Sequence, residues 1–467
     1  MNKMFPWFFI LLVFATEIGR AQFTVLHDFF GSNGNAPLGN LTIAGNRLFG
    51  MTEQGGINVE GNIFSMNLDG TGYKDIYDFN GTNGSSPWGS LTLSGNVLYG
   101  MTQTGGTSGA NNDGVIFSID TDGTHYTVLL NFNDSNGNRP RGSLVLSGNV
   151  LYGMTGYGGK NSIGNIFSIN TNGSGYKDML DFSGGNGGGP LGSLIISGNV
   201  LYGMTSGGDS SKRGCVFSIH SDGTSYLKLH AFDSINGSVP YGDLTLSGNV
   251  LYGMTLEGGI NNIGTVFSIN TDGTGFKKIL DFNGSNGSSP TGNLTMVGNL
   301  LCGMTWQGGV YQNGCIFSIK TDGTNYNKLY DFDVTSGNLP QGSLTLSGNI
   351  LYGMTQYGGD TNVFIPEGFG VVFSYALPSG TGISEIKDNN MQLNIFPNPA
   401  SYNVYVKAIL NERASLQMFD ITGKLMLTKF IENGRSTVDL SNLAPGVYTV
   451  SLMGAEERVN KKLVIIK

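Results

Sequence analysis

The amino-acid sequence predicts an all-β chain, and three observations carry that prediction. Charged residues make up only 12% of 467 positions, and the helix-favouring Ala, Glu and Lys are scarce. Glycine is frequent, at 75 residues, yet it falls at fixed places between apolar runs, which marks turns rather than disorder. The stretch Ser90-Leu-Thr-Leu-Ser-Gly-Asn-Val-Leu-Tyr-Gly-Met-Thr102 recurs along most of the chain. Its closing Gly-Met-Thr begins at Gly50, Gly100, Gly153, Gly203, Gly253, Gly303 and Gly353. A period of about 50 residues belongs to propellers, solenoids or arrays.

Each repeat reads as four strands. The first is Ser90–Ser94, and Gly95-Asn96 after it is a tight hairpin turn. The second is Val97–Thr102. A longer Gly-Gly loop leads to the third, Val115–Ile119. The Asp-Gly of Thr121–Thr124 then suits a turn with positive φ. The fourth runs from Tyr126 to Phe132, and a loop with Asn136-Gly137 and Pro140 leads to the next repeat. Val97, Tyr99 and Met101 share one face, while Leu98 and Gly100 share the other. Apolar residues on both faces fit a sheet packed between two neighbours. The Gly of Gly-Met-Thr is read as room for a large side chain from the next sheet.

The ends of the repeat region decide between ring and solenoid. Phe23–Phe29 matches a fourth strand, as in Tyr73–Phe79, without the first three before it. The last repeat has strands one to three, Ser343–Ser347, Ile350–Thr355 and Val371–Tyr375, and stops at Leu377-Pro378. The fragments sum to one sheet. A solenoid needs capped ends, whereas a ring needs its ends joined. The prediction is a seven-bladed β-propeller over 22–378, closed by the N-terminal strand, followed by a small C-terminal β-sandwich. The Pro-x-Gly-x-Leu … Gly-Asn-x-Leu-Tyr-Gly-Met-Thr-x-x-Gly-Gly … Phe-Ser-Ile … Asp-Gly-Thr pattern resembles the GloVer tandem repeat of bacterial surface proteins. That resemblance implies an extracellular, propeller-like protein and no particular activity. The strand layout is also similar to that of NHL-type propellers.

Residues 1–21 read as a secretory signal peptide. Lys3 is the positive start, Met4–Ala15 the apolar stretch, and Gly19-Arg-Ala21 a cleavage site before Gln22. The apolar stretch is too short for a comfortable membrane span, and no transmembrane segment is expected after cleavage.

The composition shifts after Pro378, with a short linker over 379–390. Residues 391–467 hold seven short strand-like runs: Leu393–Phe396, Asn403–Val406, Ser415–Phe419, Leu425–Leu427, Ser436–Leu440, Val447–Leu452 and Lys462–Ile466. These predict a β-sandwich. Pro397-Asn398-Pro399, then Asp420-Ile-Thr-Gly423-Lys424, then Leu443-Ala-Pro-Gly446-Val-Tyr448, then Lys461-Lys462 resemble the type A sorting domain of the type IX secretion system of Bacteroidetes. The resemblance implies export through that machinery and removal by a sortase, which can attach cargo to lipopolysaccharide. The protein is then secreted or held on the outer cell surface.

Several chemistries find no support in the residues. A net charge of −8 leaves no basic footprint for nucleic acid. His27, His125, His220 and His230 lie on outer strands and turns without metal-ligand spacing, so neither metal nor cofactor is expected. Asp120-Thr-Asp122-Gly123-Thr124 starts like a calcium loop but lacks the later glutamate and helix, and reads as a hairpin. The Asp before Phe, at Asp28, Asp78, Asp181, Asp281 and Asp331, reads as a repeated blade-edge hydrogen bond. Among carboxylates that break the repeat, Glu53, Glu60, Asp209, Glu257 and Glu367 form no evident pair. Cys215, Cys302 and Cys315 read as small buried thiols, with a Cys302–Cys315 bridge left open.

Antiparallel order sends the tight turns to one face of the ring and the long, variable loops to the other. Candidate ligand-binding residues on the long-loop face are Trp88, Tyr157, Tyr241, Trp306, Tyr311 and Tyr357. Exposed aromatics of this kind stack on sugars or anchor proteins, although they also serve as blade covers. The expected function is a non-enzymatic module for glycan or protein. A polysaccharide lyase or hydrolase, and a structural surface protein, are the alternatives. The lyase or hydrolase would need a carboxylate or Tyr/His/Arg cluster at that face.

Overall fold

A computed structural model describes residues 23–108, 113–208, 212–359, 367–378 and most of 392–466. In that last range, 397, 399, 410–413, 421–423, 432–433 and 454–457 are excepted. The signal peptide, the 379–390 linker, Asp209, Pro397, Pro399 and Gly423 lie outside the described residues. The chain divides into two compact units, 1–378 and 379–467.

Unit one is built of seven four-stranded antiparallel sheets. The second blade shows the pattern: Thr92–Ser94, Val97–Thr102, Val115–Asp120 and Thr127–Asn131 lie side by side in chain order. The first strand is shorter than its apolar run, since Leu91 ahead of it is buried in the core between blades one and two. In the seventh blade the outermost strand is Phe23–Asp28, paired antiparallel with Val371–Ala376. It carries a register shift between Val25 and His27, the same bulge that separates third and fourth strands in the other blades. The ring is closed by the N-terminal strand.

Blades hold one another through aromatic side chains. Phe79 directly follows the fourth strand of blade one, Lys74–Asp78, and meets Phe117 of blade two edge-on at 5.4 Å. The equivalent pair recurs at every junction, including Phe332–Phe373 and Phe29–Phe64, both at 5.3 Å. Such geometry adds roughly 0.5–1.5 kcal/mol per pair beyond area burial. The two faces of the second strand divide as the alternation requires. Leu98 packs with Phe49 and Met51 of blade one, while Tyr99 and Met101 pack with Leu144 and Leu151 of blade three.

The Gly of Gly-Met-Thr corrects one expectation. A methyl group at Gly50 would strike Phe64 and Leu41, both in the same blade. Gly50 and Phe64 are register partners on adjacent strands, so the ring lies across the glycine within one sheet, not between sheets.

The repeated Asp ties down the long loop. Asp78 Oδ1 accepts from the Ile57 N–H at 2.8 Å, and Asp281 from Ile260 at 2.9 Å. Asp122 Oδ1 accepts from the Thr124 N–H and hydroxyl, as a hairpin turn requires. The three cysteines are buried and none is joined in a disulfide. Cys302 and Cys315 do lie on neighbouring strands, but Cys302 faces Ser318 and Cys315 faces Thr305.

Unit two has a three-stranded sheet (Gln392–Phe396, Asn403–Ile409, Gly434–Asp439) and a four-stranded sheet (Leu425–Ile431, Ala414–Phe419, Gly446–Met453, Arg458–Ile465). Val404, Val438, Leu416, Val450 and Leu463 share a core among its described residues.

Candidate binding face

Seven glycines surround the axis where the long loops enter the first strands. A methyl on Gly39, Gly89, Gly142, Gly192, Gly242, Gly292 or Gly342 would collide with the carbonyl of the next glycine around the ring. Below them, side-chain oxygens link successive blades. Asn40 N–H donates to Ser90 Oγ at 2.7 Å, Ser90 N–H to Ser143 Oγ at 2.8 Å, and Ser343 N–H to Asn40 Oδ1 at 2.6 Å. Asp243 takes one place in this ring and accepts from the Ser193 N–H. Burial pushes its carboxyl up, opposed by that bond. The axis is thus floored by backbone packed as closely as it can be.

Above this floor stand the residues that follow each loop proline, among them Trp88, Arg141 and Tyr241. They fill the axial mouth and leave a cavity of about 50 Å³. Arg141 lies over the Trp88 ring, its Cζ 4.6 Å from the ring centre. With its amide turned to suit its neighbours, Gln103 accepts from Arg141 Nε at 3.0 Å and Nη2 at 3.2 Å. Burial raises the Tyr241 hydroxyl and the Glu53 carboxyl, and in both cases the Arg141 charge opposes the shift. Residues from blades one, two, three and five therefore meet at the axis. Trp88 and Tyr241 are packed there as wall, with the Trp88 face covered by a guanidinium.

The remaining candidates separate. Trp306 follows Gly-Met-Thr in blade six, and its Nε1 is buried without a partner. Tyr357 brackets Asn338 through two backbone hydrogen bonds, 2.8 and 3.0 Å, and burial raises its hydroxyl. Tyr311 is 58% exposed, in the loop after blade six's Gly-Gly pair. Tyr157 is 46% exposed, with Arg139 Cζ 5.9 Å from its ring centre. The structure does not bring these six side chains into one site.

Tyr157 borders an open cleft of about 420 Å³ between blades three and four. Ile163, Ser206, Lys212, Gly188 and Gly189 share its lining. Gly189 has φ +58. At the same place in other junctions Arg139, Val239 and Leu339 adopt φ of 51 to 54 with full side chains. Ala36, Ser86 and Ser289 hold that place with small side chains, and Gly189 alone of the seven has none. The candidate list missed Lys212 and the two glycines, although the glycine run before Pro190 was a visible departure from the repeat. Among the described residues, no three His, Cys, Asp or Glu side chains cluster for a metal. His27 and His230 are stacked on Tyr73 and Phe276, at 3.9 and 3.7 Å.

In unit two, the described motif residues hold the sandwich. Asn398 Oδ1 accepts from the Val464 N–H at 2.9 Å, Asp420 Oδ1 from the Lys424 N–H at 3.0 Å, and the Tyr448 hydroxyl donates to the Ala444 carbonyl at 2.8 Å. Gly446 opens the strand that carries Tyr448, and Lys461 and Lys462 sit on the closing strand, Lys461 exposed.

The Gloeobacter/Verrucomicrobia repeat model matches residues 12–110, 107–256 and 210–388. The chain belongs to the Gloeobacter/Verrucomicrobia repeat family. Residues 394–466 match the secretion system C-terminal sorting domain. This repeat protein is therefore exported through the type IX secretion system, to the cell surface or beyond it. No helix among the described residues is long and apolar enough to cross a membrane. No curated protein sequence matches the chain.

Solved structures similar to this repeat protein include an oligogalacturonate lyase in complex with manganese, 10% identical, covering 77% of this chain and 97% of that one, TM-score 0.45. A europium-containing methanol dehydrogenase is 10% identical over 76% and 93%, TM-score 0.46. A nidogen/laminin complex is 17% identical over 56% and 84%, TM-score 0.39. Such likenesses concern fold and carry nothing about activity.

Proposed function

We propose that the exported propeller is a binding module, not an enzyme, and that it takes a saccharide in the cleft beside Tyr157. One observation carries this reading: a cleft of about 420 Å³, bordered by a half-exposed aromatic ring, on the variable face of the ring. That volume falls within the roughly 300–1,000 Å³ usual for ligand sites. Tyr157 offers an apolar ring face with a polar tip, Lys212 an exposed amine, and Ser162 and Ser206 hydroxyls. The glycine backbone lets a sugar ring approach without side chains in the way. Removal of the sorting domain by a sortase, with attachment to surface lipopolysaccharide, belongs to the same proposal.

A glycan array probed with the full chain tests the reading. Tyr157→Ala removes the stacking face. Gly189→Leu fills the cleft with a side chain that Leu339 already carries on the same backbone. Both variants are expected to lose the bound glycans. Silence across the array, or binding that survives both substitutions, rejects the cleft.

One observation favours a second reading, breakdown of polysaccharide: Glu53, Arg141 and Tyr241 gather at the axis. Beside Glu53 the axial carboxylate is Asp243, which is held in the floor by the Ser193 N–H, whereas hydrolysis by the usual route takes two working carboxylates, and there is little open space. Turnover of an array glycan, abolished by Glu53→Gln, would favour it over binding alone.

A further inference from the structure

We propose that Asp113, Asp134 and Asn138 form a cation site, fitted to Ca²⁺, between blades two and three on the long-loop face. Asp113 closes the long loop of blade two and is 1% exposed, and neither carboxylate oxygen has a partner at hydrogen-bond geometry. Asn138 stands in the loop entering blade three and is 9% exposed. Its Nδ2 donates to Asp134 Oδ1 at 2.5 Å, while its Oδ1 is buried without a partner.

At two other junctions these positions form a donor–acceptor pair, whereas Ile163, Ile263 and Phe369 make the first position apolar, and Asn338 Oδ1, in the place of Asn138, is likewise buried without a partner. Ser85 Oγ donates to the Glu60 carboxylate, and Arg213 Nη1 donates to Ser238 Oγ at 3.4 Å. The backbone bond that sets the junction is the same in all three. Arg139 N–H reaches the Asp113 carbonyl at 3.1 Å, Ser86 that of Glu60 at 3.0 Å, and Val239 that of Arg213 at 2.9 Å. Asp113 and Asn138 thus occupy the places of a donor–acceptor pair, yet both present acceptors. The Asn138 amide N–H is taken by Asp134, which leaves the Asp113 carboxylate and Asn138 Oδ1 as buried acceptors without a donor.

A buried carboxylate in that position is costly unless something positive joins it. Arg139 does not supply the bond, because its guanidinium leans over the Tyr157 ring. Burial and the Asp134 charge both push the Asp113 carboxyl up, against Arg139 and the Asp134 backbone N–H. A hard cation reverses that balance. Ca²⁺ accepts bidentate carboxylates and amide oxygens and completes its shell with water, and exposed Asp134 leaves water a way in. Asp134 is itself an exception. Gly31, Gly81, Gly184 and Gly284 hold its place with φ of 81 to 87, Ser234 with +74 and Asp134 with +60, and of these Asp134 alone brings a carboxylate.

The site adjoins the proposed cleft, since Asn138 and Tyr157 exchange backbone hydrogen bonds of 2.9 and 3.0 Å. It stands whether or not that cleft takes a saccharide, because its test contains none. Ca²⁺ is titrated calorimetrically into the chelator-treated full chain. Wild type is expected to bind with a dissociation constant of about 0.1–1 mM, the range of extracellular modules, and to melt at higher temperature with the ion present. Asp134→Gly installs the residue four other junctions carry, and Asp113→Asn keeps the shape without the charge. Each is expected to weaken uptake about tenfold or more through the lost ligand charge. No uptake by wild type, or uptake unchanged in both variants, overturns the site.

Discussion

At the scale of single residues, glycines govern how closely the backbone packs. Gly253 lies beneath Phe267, and a methyl there would come within 2.8 Å of Phe267 Cε1 and 3.1 Å of Leu244 Cδ2. Phe267 cannot easily retreat, because it meets Phe232 edge-on at 5.3 Å and stacks on Phe276 at 5.6 Å. Gly253→Ala is expected to cost about 1–3 kcal/mol, the usual range for overpacking a tight core. A urea melt reads this directly, and adding Phe267→Leu to the same chain should recover part of the loss. An unchanged midpoint in the single variant would remove the packing account.

At the scale of elements, the strand that closes the ring carries a pH-sensitive group. His27 is stacked on Tyr73 of the first blade, and its Nε2 lies 2.9 Å from Asn33 Nδ2. A neutral ring accepts that bond. Burial lowers the His27 pKa from 6.5 to about 4. Between those values the unfolded chain binds a proton that the folded chain refuses. His27 therefore contributes full stability above pH 6.5 and loses it as pH falls towards 4. His27→Tyr copies blade one, where Tyr77 stacks on Tyr126 at 3.9 Å and accepts from Asn83 Nδ2. Thermal melts at pH 4 and 7 should show a smaller acid loss in the variant than in wild type. Equal losses would exclude His27 as the source.

At the scale of the whole molecule, two units divide the work. The repeat unit supplies a closed ring with a variable face, and the sorting unit supplies export. Deleting residues 391–467 is expected to leave the ring folded and to trap it inside the outer membrane. Cell fractionation with an antibody to the propeller checks this; wild-type amounts of the truncated chain outside the cell would contradict it.

How much of this was legible in the residues follows from the kind of interaction involved. Strand order, blade count and closure were readable because apolar periodicity and turn chemistry are local and repeat seven times. The fragment Phe23–Phe29 could be matched to its missing blade by pattern alone. The role of the Gly-Met-Thr glycine was misassigned to the next blade, because sequence shows that space is needed without showing which ring fills it. Trp88 and Tyr157 look alike as variable aromatics, yet one lies under a guanidinium and the other borders open space.

The all-β ring, its closure and its address outside the cell are written in recurring or contiguous residues, and so can be read without coordinates. The cleft beside Gly188 and Gly189 and the buried, unpartnered acceptors of Asp113 and Asn138 come into view only in the folded ring. Those depend on residues of different blades, far apart along the chain, which meet only when the ring closes.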